Sequence, residues 1–188
     1  KEMLEIAKES KIDVRLFIQP THVYFLEVLK TLGMMEDYEK WQHQLINLVE
    51  VVNKKYPDGL EFPLWDFSGY NFVTIDEVPP AEEPKRPMEW YYDVAHFKKS
   101  LGDMIQDRIF NYNDTGRVVP EDFGTQINSK NIDLYQRLQR SKQMEYKLVH
   151  QDEIKELTDR VNVVKKTIME FDCGRGAMKK VNSFALIN

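Results

Sequence analysis

The residue types and spacing best suited to chemistry are Asp93 and His96, three positions apart. They lie between a proline-rich stretch and a helix with an apolar stripe. In acyl transfer by a Ser nucleophile, an imidazole takes the hydroxyl proton. A carboxylate bonded to its other nitrogen fixes the tautomer and stabilises the imidazolium. An Asp three residues before a His, across a turn, can reach it. The same Asp can instead cap the following helix by accepting its free backbone N–H groups, and spacing alone leaves both readings open.

His22 follows a strand candidate, and the carboxyl ends of strands in an open α/β sheet face the ligand crevice. It is therefore a candidate for substrate contact, or else a helix-start residue bonded to backbone. Trp90, Tyr91 and Tyr92 beside Asp93 can stack on a sugar ring or pack the core beneath the loop. Asp66 reads as structural, bonding the turn at Ser68 and Gly69. His43 and His150 are expected at the surface. Asn113-Asp114-Thr115 matches a glycosylation sequon, a pattern too short to carry weight.

The elements that must position these residues follow from periodicity. Met3, Leu4, Ile6 and Ala7 give the first ten residues a helical apolar side, already under way at Lys1, so the natural start is expected further upstream. Residues 14–18 read as a strand ending at Pro20, and 62–67 as a second. Between them, one helix runs from Thr21 to a C-cap at Gly33 and another from about Glu36, with Trp41, Leu45, Leu48, Val49 and Val52 at helical spacing. Residues 79–87 hold four of the eight prolines and read as a surface loop. A helix from Phe97 carries Leu101, Met104, Ile105 and Ile109. From about Asn128 to Glu170 there is no Pro or Gly, which predicts a long helix or helical pair. Ile154, Leu157, Val161, Val164, Ile168 and Phe171 mark a lengthwise packing seam.

Only two good core strands emerge, yet helices join them in the manner of a doubly wound sheet of four or five strands. The expected fold is α/β with an incomplete sheet, completed by N-terminal strands or by another chain. The expected domains are residues 1–127 and a helical extension over 128–188. The chain has 188 residues, net charge −5 and a single Cys, so it has no internal disulfide, and no Cys/His spacing suits zinc. No apolar run reaches the length of a bilayer span. From Arg137 onward 11 Lys/Arg stand against 7 Asp/Glu, a net of +4, leaving −9 for residues 1–136. An acidic body argues against nucleic-acid binding, and the basic tail reads as a solvated helix with pairs such as Glu156/Arg160.

Three segments sharpen the reading: Phe17-Ile18-Gln19-Pro20-Thr21-His22, Leu64-Trp65-Asp66-Phe67-Ser68-Gly69-Tyr70-Asn71, and Tyr91-Tyr92-Asp93-Val94-Ala95-His96-Phe97 followed by Leu101-Gly102-Asp103 and Arg108-Ile109. In that order they resemble the C-terminal half of a bacterial SGNH (GDSL-like) hydrolase or acyltransferase. The closest likeness is to the cell-envelope branch related to polysaccharide O-acetylation and teichoic-acid alanylation proteins, over roughly residues 1–150. The resemblance implies an SGNH/flavodoxin-like three-layer sandwich, with His96 as general base and Asp93 as its orienter. His22, Tyr70 and Trp90 are candidate substrate contacts beside them, and the resemblance implies an acylated glycan or small ester as substrate, no metal or cofactor, and a cell-envelope or periplasmic location.

The family's nucleophilic Ser lies in a Gly-Asp-Ser block that this chain lacks, as it lacks the Gly and Asn blocks that supply oxyanion donors. None of Ser10, Ser68, Ser100, Ser129, Ser141 and Ser183 stands in a nucleophile-elbow context; Ser68 is nearest to a turn. The nucleophile is expected from outside these residues. Two other readings remain. One is a non-catalytic scaffold or assembly protein that binds partners through its C-terminal helix. The other is a self-contained helical domain, in which residues 14–18 and 62–66 would not pair.

Overall fold

Leu16-Phe17-Ile18 and Leu64-Trp65-Asp66 carry large side chains in both phases of the alternation, as strands covered on both faces do. In the computed structural model they form β1 (Leu16–Ile18) and β2 (Leu64–Asp66), paired in parallel with Leu16 opposite Leu64 and Ile18 opposite Asp66. This pairing removes the purely helical reading. The structure describes residues 1–80, 82–83, 85–113 and 116–173, with side chains to Thr167. Both strands are shorter than the sequence predicts.

Among the described residues the helices are α1 (Glu2–Glu9), α2 (Val23–Thr31), α3 (Met35–Lys55), α4 (Lys99–Phe110), α5 (Ile132–Val149) and α6 (Gln151–Cys173). A two-stranded hairpin, β3 (Tyr91–Asp93) and β4 (His96–Phe97), precedes α4. A further strand, β5 (Thr125–Gln126), pairs antiparallel to β2 and gives the order β1-β2-β5. Sequence periodicity misses β5, since two exposed polar residues carry no alternation. Phe97 lies in β4 and not in the helix it was expected to start. The Lys98 N–H donates to the Trp90 carbonyl at 2.8 Å and closes the hairpin before α4 begins.

The alternation decides which helix meets which face. Ile18 and Leu64 pack with Ile46 of α3, Ile127, and Ile132 and Tyr135 of α5. On the opposite face Phe67 packs with Leu101, Met104, Ile105 and Ile109 of α4, and Phe17 meets Phe67 edge-on at 6.1 Å. α1 seats Leu4 and Ala7 on Val49 and Val52 of α3. α2 packs against α5 and α6 through Val23, Leu26, Leu29, Tyr146 and Ile154. The chain is a mixed α/β fold with helices on both faces of its small sheet.

The expected division at 127/128 falls between β5 and α5, and α5 packs directly into the sheet's core. Of the expected long helix or helical pair, the pair is present, breaking at His150. Along the expected seam Ile154 is buried, whereas Val164 is exposed; Ile168 and Phe171 lie outside the described side chains. The sequon also runs into residues outside the description. The expected Glu156/Arg160 pair forms. No described helix is long and apolar enough to cross a membrane.

Gly124 has φ +88°, and a Cβ there would come within 2.3 Å of the Phe67 ring. The chain can enter β5 over Phe67 only because this residue has no side chain. Gly124→Ala should cost about 3 kcal/mol through backbone strain and overpacking, read as a lower urea midpoint with an unchanged slope.

Candidate active site

The β3–β4 hairpin brings Asp93 opposite His96. Asp93 Oδ1 accepts the backbone N–H groups of Ala95 at 2.8 Å and His96 at 3.0 Å, and both carboxylate oxygens lie 2.9 Å from His96 Nδ1. The Ala95 N–H, followed by the His96 side chain, holds the Asp93 carboxyl below its ordinary range. Facing a charged acceptor, Nδ1 carries the proton and Nε2 presents its lone pair, the tautomer a general base needs. Asp93 thus orients His96 and also ties the hairpin turn. It does not cap α4, whose N-cap is Lys98 and has no side-chain cap bond. The two side chains are 57% and 74% exposed, so solvent reaches the pair freely.

Four contacts hold this hairpin at the carboxyl end of β1. Tyr91 Oη donates to the Pro20 carbonyl at 3.2 Å. The Asp76 carboxylate accepts the N–H groups of Trp90 at 2.7 Å and Glu89 at 3.2 Å. The His22 ring stands edge-on to Tyr91 at 5.2 Å. α4 then runs back along β1, since the Arg15 guanidinium at the strand's other end lies 5.4 Å from the Phe110 ring and 3.4 Å from the Ile109 carbonyl.

His22 is fully buried, so it lines no substrate surface. It caps α2: Nδ1 accepts the Tyr24 N–H at 3.2 Å, while Nε2 donates to the Asp76 carbonyl at 2.8 Å. Tyr70 is also buried, donating to Glu27 at 2.6 Å. Glu27 further accepts Gln143 at 2.9 Å and the Lys147 ammonium at 2.9 Å, a link between α2 and α5. Trp90 is half-buried against the core cluster beneath the hairpin. Of the five candidates, only Asp93 and His96 meet on open surface.

Ser68 is buried and donates to Asp66 Oδ1 at 2.6 Å, with Tyr38 Oη 2.8 Å away. Asp66 also accepts the Ser68 N–H and Gln42 Nε2. Burial pushes the Asp66 carboxyl up, and these donors oppose it. Asp66 is structural, as its turn position suggests, and Ser68 is enclosed in the same network.

A second pair escaped the sequence reading. His150 Nδ1 lies 2.9 Å from Glu153, whose other oxygen accepts the Tyr24 hydroxyl, and the imidazole stacks on Tyr146 at 4.2 Å. The His-x-x-Glu spacing at a helix start was a usable signal, but Tyr24 is remote in sequence. His43 is exposed as expected. No group of three His, Cys, Asp or Glu among the described residues suits a metal ion.

Comparison with known proteins returns no matching family model, no matching curated protein and no matching solved structure.

Burial holds the His22 pKa below its ordinary value of 6.5, the Asp76 contact opposing it. Unfolded His22 takes a proton near that ordinary value and the folded ring only at lower pH, so stability falls as pH drops through this window. His22→Ala should cost about 2–3 kcal/mol from the lost cap and cavity. Its pH–stability curve, from urea midpoints, should lack the part of the acid loss that begins just below 6.5.

Proposed function

We propose that this chain supplies the base and its orienter to an SGNH-like serine esterase or O-acyltransferase acting on an acylated cell-envelope glycan or a similar ester. The observation that carries the reading is the Asp93–His96 Nδ1 contact of 2.9 Å, exposed on a hairpin that is held at the carboxyl end of a parallel strand pair. A ligand crevice belongs at that end of an open α/β sheet.

In this reading His96 Nε2 removes the proton of a Ser hydroxyl brought from outside these residues. Asp93 stabilises the imidazolium, and His96 returns the proton to the leaving alkoxide. Oxyanion donors come from the same outside segment. The finer fold assignment, a three-layer SGNH/flavodoxin-like sandwich, is part of this proposal. It is supported by the parallel β1–β2 pair, by helices on both sheet faces and by the order of the resembling segments.

A second reading is favoured by one specific feature. Asp93 already has a structural task in tying the turn, and its pair with His96 stands in open solvent. A non-catalytic scaffold that keeps the hairpin as a docking loop needs no more than this.

The test is labelling by a fluorophosphonate probe in the cell-derived, fully assembled protein, comparing wild type with His96→Ala and Asp93→Asn. Labelling should fall by about a thousandfold or more in His96→Ala and substantially in Asp93→Asn. A folded assembly whose labelling is absent, or indifferent to His96, would move the scaffold reading ahead.

A further inference from the structure

Both nitrogens of the buried His22 ring are committed: Nδ1 accepts the Tyr24 N–H, and Nε2 donates to the Asp76 carbonyl. The rings of Tyr24 and Tyr91 stand edge-on to it, each at 5.2 Å. This arrangement requires the neutral imidazole. A proton added at Nδ1 turns that atom into a donor facing another donor. The bond to Tyr24 is then lost, and the ring carries a charge where no water reaches it.

The contacts that hold the β3–β4 hairpin converge on the same spot. Tyr91 Oη bonds the carbonyl of Pro20, and the Tyr91 ring rests on His22 itself. The N–H groups of Glu89 and Trp90 bond the Asp76 carboxylate, while the Asp76 backbone carbonyl is the acceptor for His22. Asp76 is also the carboxylate that acts on the ring. Tyr24 and Tyr91 are the other titratable groups against it; behind them, Glu153 bonds the Tyr24 hydroxyl and His150 bonds Glu153. A charged His22 therefore draws on the carboxylate that clamps the hairpin.

We infer that His22 is a proton-operated latch: its neutral ring holds the Asp93–His96 hairpin at the carboxyl end of β1, and a proton taken from solvent at Nδ1 loosens the hairpin while the sheet stays folded. That the loosening withdraws a general base in acid rests on the proposed function; the latch does not. Burial disfavours the proton on the closed ring, and the Asp76 contact opposes this. The opened ring titrates near its ordinary 6.5, so just below that pH opening takes up a proton. Acid then favours opening by at most about tenfold per pH unit, until the closed ring itself is protonated.

The test is amide exchange by NMR on the full chain, expressed as protection factors so that the intrinsic pH dependence of exchange cancels. Below about pH 6.5, protection at Tyr24, Glu89 and Trp90 should fall by about threefold or more per pH unit. It should hold steady at Phe67 and Ile127, whose N–H groups bond the Ile18 and Leu64 carbonyls within the sheet. His22→Asn keeps a capping acceptor without a titrating ring and should abolish the slope. His96→Gln and His150→Gln should retain it. If His22→Asn does not fold, the ring nitrogen shifts of wild-type His22 decide the matter: the fall in protection should level off at the pH where that ring titrates.

Protection that is flat in wild type, an equal slope in His22→Asn, or a slope lost in His96→Gln or His150→Gln would overturn the inference. So would an equal fall at Phe67 and Ile127, or a fall that runs on unchanged past the His22 titration. None of these readouts involves catalysis, so failure of the latch and failure of the enzyme reading are separable.

Discussion

Parallel pairing of β1 with β2 is the constraint from which the remaining arrangement follows. A parallel pair must be connected by a crossover, which α2 and α3 provide, and its two faces must both be covered. With Leu16, Ile18 and Leu64 on one face and Phe17, Trp65 and Phe67 on the other, neither face can be left to water. α3 and α5 cover the first and α4 the second. α4 can lie where it does only because the hairpin before it turns the chain at the carboxyl end of β1.

Carboxylates do most of the fixing at that end of the molecule, each in a different setting. Asp66 is buried and surrounded by donors from Ser68 and Gln42, which holds the turn after β2 in place. Glu27 is buried among Tyr70, Gln143 and Lys147 and locks α2 onto α5. Asp76 takes two backbone N–H groups at the base of the hairpin while its carbonyl receives His22. Asp66 and Glu27 stand where a lost partner would leave a buried polar group unpaired, which is why such networks specify one arrangement. Asp93 differs in being exposed. Its bond to His96 adds little to stability in water, so its geometry, and not its energy, is what merits a functional reading.

The open β1 edge and the exposed dyad belong to the same end and side of the sheet. Phe97, next to His96, lines a groove together with Phe17.

The residues themselves determined much of this. Two strands with apolar residues in both phases, helices at 3.6-residue spacing and the absence of Pro and Gly over 128–170 follow from local sterics and periodicity, which act within a few residues. The Asp93–His96 contact was legible for the same reason, since three residues across a turn leave little freedom. Tertiary structure alone decided the fate of His22, Tyr70 and Ser68. Their exposure depends on Asp76, Glu27 and Asp66 and on helices remote in sequence, and burial is a property of the whole packing. β5 was likewise set from outside, because two polar residues become a strand only where Gly124 passes over Phe67 and β2 offers a free ladder. Periodicity reports which side of an element is apolar, but only the assembled chain decides what that side meets.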